Sequence, residues 1–79
     1  MYSTIVYTNT NYGKISCNLK EVLKEKKITI YKLSNISHIK YEIIKKYCDN
    51  NFQRVDLDIL ARICFCLNLE VEDLLKYVK

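Results

Sequence analysis

The sequence predicts an all-α domain of five helices, preceded by a small N-terminal β-strand or hairpin. Apolar residues recur at helical spacing in several short segments from the first lysine onward. Polar residues that favour the N-cap position stand directly before three of these segments, at Asn18, Thr29 and Asp56. Residues 1 to 13 instead combine β-branched and aromatic residues with turn formers and the only glycine, which is typical of a strand or hairpin.

Length and composition indicate one domain of ordinary globular type. The 79 residues can bury one modest core, and 49% hydrophobic with 28% charged residues is a globular balance. We expect residues 1–17 to form the strand or hairpin extension and residues 18–79 to form the helical domain. No apolar run approaches the roughly 20 residues of a membrane span, and the first residues lack the pattern of a secretory signal. We therefore expect no membrane partner and a cytoplasmic location.

Positive charge is concentrated in one half of the chain. Residues 14 to 46 carry nine lysines and three glutamates, a net +6, whereas residues 47 to 79 carry four basic and six acidic side chains, a net −2. Such a distribution predicts an electropositive surface that attracts polyanions over a Debye length of about 8 Å at physiological salt. A lysine-coated solvated face without a partner would have the same composition.

Local signals mark where each helix begins and ends. The first helix is predicted after Asn18, with Glu21 completing a capping box, and it runs to about Lys26. The other four follow in order: a second helix after Thr29 that ends near Asn35 or Ile36, a third from about Lys40 to Cys48, a fourth from Leu57 to Leu67 after Asp56, and a short fifth that opens at Val71. The turn between the third and fourth helices contains Asn50 and Asn51, and asparagine tolerates a left-handed backbone.

The fourth helix and the two ends of the chain carry further predictions. Apolar residues at helical spacing predict the buried face of the fourth helix, which comprises Leu57, Leu60, Ala61, Cys64 and Leu67. Residues 14 to 17 are predicted as the second strand of a hairpin whose first strand is residues 3 to 8. Residues 77 to 79 could extend and pair with an N-terminal strand.

The four cysteines are predicted to be buried apolar residues rather than metal ligands or disulfide partners. Cys64 and Cys66 lie two residues apart on one helix, so their side chains point about 200° apart and could not readily chelate one metal. A cytosolic chain also keeps its thiols reduced. Cys17 and Cys48 complete the set. A redox function for Cys48, at the end of the third helix, is a minor alternative.

Residues 28 to 47 place two short apolar segments around a tight break, which indicates a helix-turn-helix. Ile30 and Leu33 would face inward from the first segment, and Ile44 and Tyr47 from the second. The break between them is too short for an ordinary helical hairpin. A basic second helix held at a fixed angle to the first suits the major groove of DNA.

With these elements placed, residues 18 to 77 resemble the helix-turn-helix domain of the XRE family, the type found in Cro and the phage repressors. The spacing of that family's pattern is kept at Ile30, Leu33, Ser34, His38, Ile39 and Lys40. The match continues in register through VDLDILARICFCLNLEVEDLL, which is similar to the family's fourth and fifth helices. The resemblance implies a five-helix, repressor-like DNA-binding fold, and the second part of the match is hard to obtain by chance.

Four residue types depart from the family's pattern. Ser34 stands where the family has Ala and remains small at the point where the two helices approach most closely. His38 stands in place of the turn Gly, so a positive φ there should carry a cost. Ile30 replaces a Gln that in the family often contacts phosphate, and Lys40 replaces a Ser and places a cation where DNA would lie.

The resemblance implies which residues would contact DNA. Bases would be read by the exposed residues of the third helix, Lys40, Tyr41, Glu42, Lys45 and Lys46, because Lys can donate to guanine, Glu can accept from cytosine and a Tyr ring can lie against the thymine methyl. Phosphates would be contacted by residues around that helix, namely Thr29, Lys32, Asn50, Asn51, Gln53 and Arg54. Two alternatives stay open: Glu42 could pair with Lys45 or Lys46 instead, and Ile43 is either half-buried or an apolar base contact.

The sequence therefore predicts a sequence-specific DNA-binding transcriptional regulator, a repressor that binds double-stranded DNA as a homodimer with recognition helices about 34 Å apart. A helical protein-interaction module and an antitoxin-like regulator are the alternatives. The dimer surface could involve Tyr2, Tyr7, Tyr12 or Tyr77, although each of these could equally pack within the monomer. No catalysis and no cofactor are expected, because the only histidine lies at the turn and no nucleophile and base are suitably spaced.

Overall fold

The computed structural model describes residues 12–79, which form five helices between two short strands. In chain order the elements are β1 (Lys14–Cys17), α1 (Leu19–Lys26), α2 (Ile30–Ser37), α3 (Tyr41–Cys48), α4 (Leu57–Leu67), α5 (Val71–Leu74) and β2 (Leu75–Val78). The predicted all-α class with a small β element is confirmed. The strand predicted at residues 3 to 8 lies outside the described residues.

The two strands pair with each other and so join the two ends of the helical region. They are antiparallel, with Lys14 opposite Val78 and Cys17 opposite Leu75. The predicted pairing of the C-terminal residues with an N-terminal strand is therefore confirmed. Gly13 precedes β1 with φ +82°, and a Cβ atom there would lie 2.5 Å from the Val78 carbonyl oxygen. Only glycine fits this entry into the sheet without a clash.

All three predicted N-cap residues directly precede their helices, and two of them make the side-chain bond expected of a cap. The Thr29 hydroxyl oxygen accepts from the Lys32 N–H at 3.0 Å, and an Asp56 carboxylate oxygen accepts from the Asp58 and Ile59 N–H groups at 2.9 and 3.2 Å. Each bond satisfies a backbone donor that the first turn of a helix leaves without a partner. Helix starts at α2 and α4 are thus determined locally.

The predicted capping box of α1 is wrong. The Asn18 side chain makes no capping hydrogen bond, and its backbone, at φ −101° and ψ 17°, lacks the extended conformation that an N-cap requires. The Asn18 N–H instead donates to the Leu74 carbonyl at 2.6 Å. This tertiary bond ties the start of α1 to the end of α5 and holds the Asn18 backbone away from cap geometry.

The core takes one fully buried aliphatic side chain from each helix: Leu19, Leu33, Ile44, Ile63 and Leu74. Burial of a side chain of this size stabilises a fold by about 1.5–3 kcal/mol. Since α2 contacts both α3 and α4, Leu33 lies near the centre of this packing. The predicted inward positions of Leu33, Ile44 and Tyr47 are confirmed.

The predicted buried face of α4 is partly wrong. Leu57 is 76% exposed and Ala61 is exposed, whereas Leu60, Ile63 and Leu67 are buried and Cys64 is half-buried. Apolar residues surround α4 on nearly every side, so its periodicity alone permits more than one inward face. The face that is buried contains Ile63, which belongs to the core formed by all five helices.

All four cysteines are free thiols, with Cys17 and Cys48 buried and the other two half-buried. Burial raises the pKa of the Cys48 thiol to about 11, with smaller contributions from Cys17 and Asp49. Burial likewise raises the pKa of Cys17. Because the thiolate is the reactive form, a thiol held protonated at neutral pH is a poor nucleophile. This environment opposes the redox function considered for Cys48.

Candidate nucleic-acid interface

Two serines fix the turn between α2 and α3. The Ser37 hydroxyl, which is 4% exposed, donates to the Leu33 carbonyl at 2.6 Å and accepts from the Ile39 N–H at 3.3 Å. The Ser34 hydroxyl donates to the Ile39 carbonyl at 2.5 Å. Both backbone polar groups of the buried Ile39 are therefore satisfied by side chains of α2. No function was predicted for Ser37 from the sequence. A serine in the last turn of a helix can bond to the carbonyl four residues before it, and that tendency could have suggested this contact.

The turn residue itself has the predicted left-handed backbone. His38 has φ 60° and ψ 33°, and its N–H donates to the Ser34 carbonyl at 3.0 Å. The departure at Ile30 also has a structural explanation, because Ile30 is half-buried and packs against the core. Ser34 and His38 thus form hydrogen bonds within the turn, whereas Ile30 contributes to the core.

We predict that His38→Gly raises the free energy of unfolding by about 0.5–1 kcal/mol. A side chain in the left-handed region is strained by roughly 1–2 kcal/mol, and the greater freedom of glycine in the unfolded chain offsets part of that gain. Urea denaturation followed by circular dichroism measures the change. Asn35→Gly, inside α2, is the matched control and should destabilise the protein. Equal destabilisation by both substitutions would contradict the left-handed assignment of His38.

Helix α3 presents a continuous polar surface. All five predicted base-reading residues are exposed on it or immediately before it: Lys40, Tyr41, Glu42, Lys45 and Lys46. The opposite face is buried through Ile44, Tyr47 and Cys48. Ile43 lies between the two faces and is half-buried. The helix is therefore fixed by its apolar side and free to contact a ligand along its polar side.

Ion pairing on this surface is limited. The Lys45 ammonium lies 3.2 Å from the Asp49 carboxylate, with both side chains about half exposed. Among residues 12–79 Glu42 forms no ion pair with Lys45 or Lys46, so the proposed internal pairing of Glu42 is not observed. Lys46 likewise has no carboxylate within 4.0 Å in that part of the chain. Its charge is available to an anionic ligand.

Lys46 meets the following loop in one open groove. Residues from three predicted phosphate-contact positions, Asn51, Gln53 and Arg54, line the groove together with Lys46. The loop is held by Tyr47, whose ring stacks on Phe52 with centroids 4.7 Å apart. The Tyr47 hydroxyl also accepts from the Asp56 N–H at 3.1 Å. A cation of α3 and three polar residues of the loop are thus brought to one surface.

The remaining predicted phosphate contacts lie elsewhere. Thr29 and Lys32 are exposed at the N-terminus of α2 and do not line the groove. The Asn50 amide is bound to the backbone of Cys17 in β1. The structure therefore assigns Asn50 a structural partner that the sequence did not suggest.

Residues 12–79 contain neither a metal-binding cluster nor a membrane-spanning helix. No group of three or more histidine, cysteine and acidic side chains is arranged to hold a metal ion there. None of the helices in this range is both long and apolar enough to cross a membrane.

Comparison with known proteins agrees with this geometry. The family model of the Cro/C1-type HTH DNA-binding domain matches residues 18–79. A crystal structure of a "putative DNA-binding protein" from Bacteroides fragilis is 27% identical, with a TM-score of 0.70 over 80% of this chain and 100% of that chain. A search of curated proteins finds no match. Because the family model spans most of the chain, the protein belongs to the Cro/C1-type helix-turn-helix DNA-binding domain family.

Proposed function

We propose that the protein is a sequence-specific transcriptional repressor that binds double-stranded DNA in the cytoplasm and has no catalytic activity. The observation that carries this proposal is the groove where Lys46 of α3 meets Asn51, Gln53 and Arg54. A side chain on the recognition helix and side chains suited to phosphate share one surface there. DNA binding of this kind needs both base contacts and backbone contacts in fixed register.

Base reading is proposed for the exposed surface of α3: Lys40, Tyr41, Glu42, Lys45 and Lys46. The ion pair between Lys45 and Asp49 is exposed, and such pairs stabilise a protein by only about 0–1 kcal/mol. Lys45 can therefore exchange this partner for a guanine at low cost. Glu42 has no competing ion pair among the described residues and can accept from a cytosine amino group.

Phosphate contacts are proposed for Thr29, Lys32, Asn51, Gln53 and Arg54. The Thr29 oxygen caps α2 as an acceptor, which leaves its O–H free to donate to a phosphate. For Asn50, the sixth predicted contact, we propose a structural function instead, because one of its amide N–H groups and its amide oxygen are already bonded to Cys17. Contacts of this type position the protein along DNA without reading its sequence.

Selection of bound fragments from a pool of genomic DNA tests the proposal. We expect a common sequence among the recovered fragments and an affinity that falls linearly on a log–log plot as salt increases. Absence of binding even at about 50 mM salt, for genomic and random fragments alike, would refute DNA binding. Lower transcription from a promoter carrying the selected sequence would support repression, and increased transcription would refute it.

We further propose that the protein binds DNA as a homodimer, and that α4 supplies the contact surface. Leu57, Ala61 and Phe65 recur every four residues on α4 and leave an exposed apolar stripe, with Phe65 87% exposed. Asp58 and Arg62 flank it as an ion pair at 3.0 Å. An antiparallel second copy of α4 would pack its Phe65 on Leu57 and bring its Asp58 near Arg62, so this surface is complementary to itself.

Sedimentation of a Phe65→Glu variant tests this surface. We expect the wild-type chain to sediment as a dimer and the variant as a monomer, because a buried carboxylate without a partner opposes association. Tyr31→Glu, on an exposed position of α2, is the control and should remain dimeric. A Phe65→Glu variant that stays dimeric would exclude α4 as the interface. The surface around Tyr77, which is 60% exposed and donates its hydroxyl to the Tyr12 carbonyl, stays the alternative.

A further inference from the structure

The Asn50 side chain connects two parts of the chain that are far apart in sequence. Its amide oxygen accepts from the Cys17 N–H at 2.7 Å, and its amide nitrogen donates to the Cys17 carbonyl at 3.0 Å. Cys17 is the last residue of β1, and 33 residues separate the two partners. The sheet is thus bonded directly to the residue that precedes the groove loop, residues 51 to 54.

The Asn50 backbone directs the chain from α3 into that loop. Asn50 has φ 56°, a left-handed conformation. Its N–H donates to the Tyr47 carbonyl at 3.3 Å, and the Asn51 N–H donates to the Lys46 carbonyl at 2.9 Å. Asparagine tolerates this conformation and carries one donor group and one acceptor. Glycine would keep the backbone but lose both side-chain bonds, and aspartate would keep only the acceptor.

We propose that Asn50 is a positioning residue for DNA binding: by bonding to Cys17 it lets the sheet hold the groove loop in the place where it meets the DNA backbone. The proposal rests on the phosphate contacts assigned above to Asn51, Gln53 and Arg54. A loop that is ordered before binding loses less conformational entropy when DNA arrives. Because phosphate contacts carry no sequence information, the bond to Cys17 supports affinity for all DNA and leaves base preference to α3.

Asn50→Gly separates the side-chain bonds from the backbone conformation. We expect the affinity for selected and random DNA to fall about fivefold, which corresponds to the loss of one or two neutral hydrogen bonds. Base preference should stay unchanged. Asn68→Gly is the matched control: Asn68 also has φ 56°, at the end of α4, and forms no side-chain hydrogen bond among residues 12–79. It should bind DNA as the wild type does. Equal affinity of Asn50→Gly and Asn68→Gly would overturn the proposal.

Hydrogen exchange of the unmodified chain provides a second measurement that does not depend on the stability of a variant. Coupling between two sites is reciprocal, so DNA bound to the loop should slow exchange of the Cys17 N–H by about the same fivefold factor. The Leu69 N–H, which donates to the Cys64 carbonyl away from the loop, serves as the reference. If DNA slowed Leu69 as much as Cys17, the protection would be global and the proposal would be refuted.

The outcomes distinguish this proposal from the proposed function. If the wild-type chain binds no DNA, both the proposed function and the positioning function of Asn50 are refuted. A wild-type chain that binds selected DNA, together with an Asn50→Gly variant of equal affinity and unchanged Cys17 exchange, removes only the function of Asn50. Loss of base preference in Asn50→Gly would also refute it, because the variant would then have disturbed α3 rather than the loop.

Discussion

Leu33→Ala is expected to lower the free energy of unfolding by about 2–5 kcal/mol. Leu33 is 0% exposed and belongs to α2, which contacts both α3 and α4. Removal of its side chain leaves a cavity between three helices and loses the transfer free energy of the buried carbons. Since small domains are stable by only about 5–15 kcal/mol, the variant should be close to unfolding at physiological temperature.

Urea denaturation of Leu33→Ala and Tyr31→Ala, followed by circular dichroism, measures this effect. Tyr31 lies on the same helix and is 68% exposed, so its removal should change stability by no more than about 0.5 kcal/mol. In both variants alanine replaces a large side chain of α2. The two original side chains differ in burial, so the comparison measures the effect of burial. Similar losses in the two variants would show that α2 does not present Leu33 to the core.

Lys46→Ala is expected to weaken binding to the selected DNA by about 1–3 kcal/mol and to relax preference at one base position. Lys46 is exposed on α3 and has no carboxylate partner among the described residues. Arg54→Ala should instead weaken binding to all sequences similarly and lower the slope of log affinity against log salt by about 1. The two variants remove one charge each from the same groove, so the contrast isolates base reading from phosphate contact.

Fluorescence anisotropy with the selected fragment and its single-base variants, over a series of salt concentrations, measures both effects. Lys76→Ala, an exposed charge on β2, controls for the loss of net charge and should retain base preference and most of the affinity. If Lys46→Ala and Arg54→Ala both lost affinity uniformly across sequences, α3 would not be the reading helix. If Lys76→Ala also changed the base preference, the effect measured for Lys46→Ala would be due to net charge and not to a base contact.

Local signals in the sequence predicted the elements of the fold well. The caps at Thr29 and Asp56 are present, and α4 has the predicted bounds Leu57–Leu67. A left-handed asparagine was predicted in the turn after α3, and Asn50 has that conformation. These features depend on interactions within a few residues, which periodicity and cap preference describe directly. The amphipathic face of α3 was predictable for the same reason.

Predictions failed where tertiary contacts decide between local possibilities. Leu57 and Ala61 fit the helical period of α4 but are exposed, and Ile63 is buried in the core instead. Asn18 has the right residue type for a cap, but its N–H is bonded to Leu74. In both cases the local sequence permits more than one arrangement, and packing with residues far away in the chain decides between them.

The sequence predicted which residues of the candidate site are exposed, but not how they are placed relative to one another. Exposure of Lys46 and its neighbours follows from the period of α3, but their convergence with Arg54 depends on the stacking of Tyr47 and Phe52. The bond from Asn50 to Cys17 spans 33 residues and leaves no periodic signal. Polar side chains that bond across such distances are found only when the fold is known.

The pairing of β1 with β2 has a consequence for how the protein folds. Cys17 and Leu75 are partners in the sheet, so 58 residues of chain must be closed into a loop before these strands meet. The contacts between α2 and α3 join residues at most about 20 positions apart, so forming them costs less chain entropy than pairing the strands. The strands should therefore join after the folding barrier has been crossed. Substitutions in β1 and β2 would then accelerate unfolding and leave the folding rate nearly unchanged.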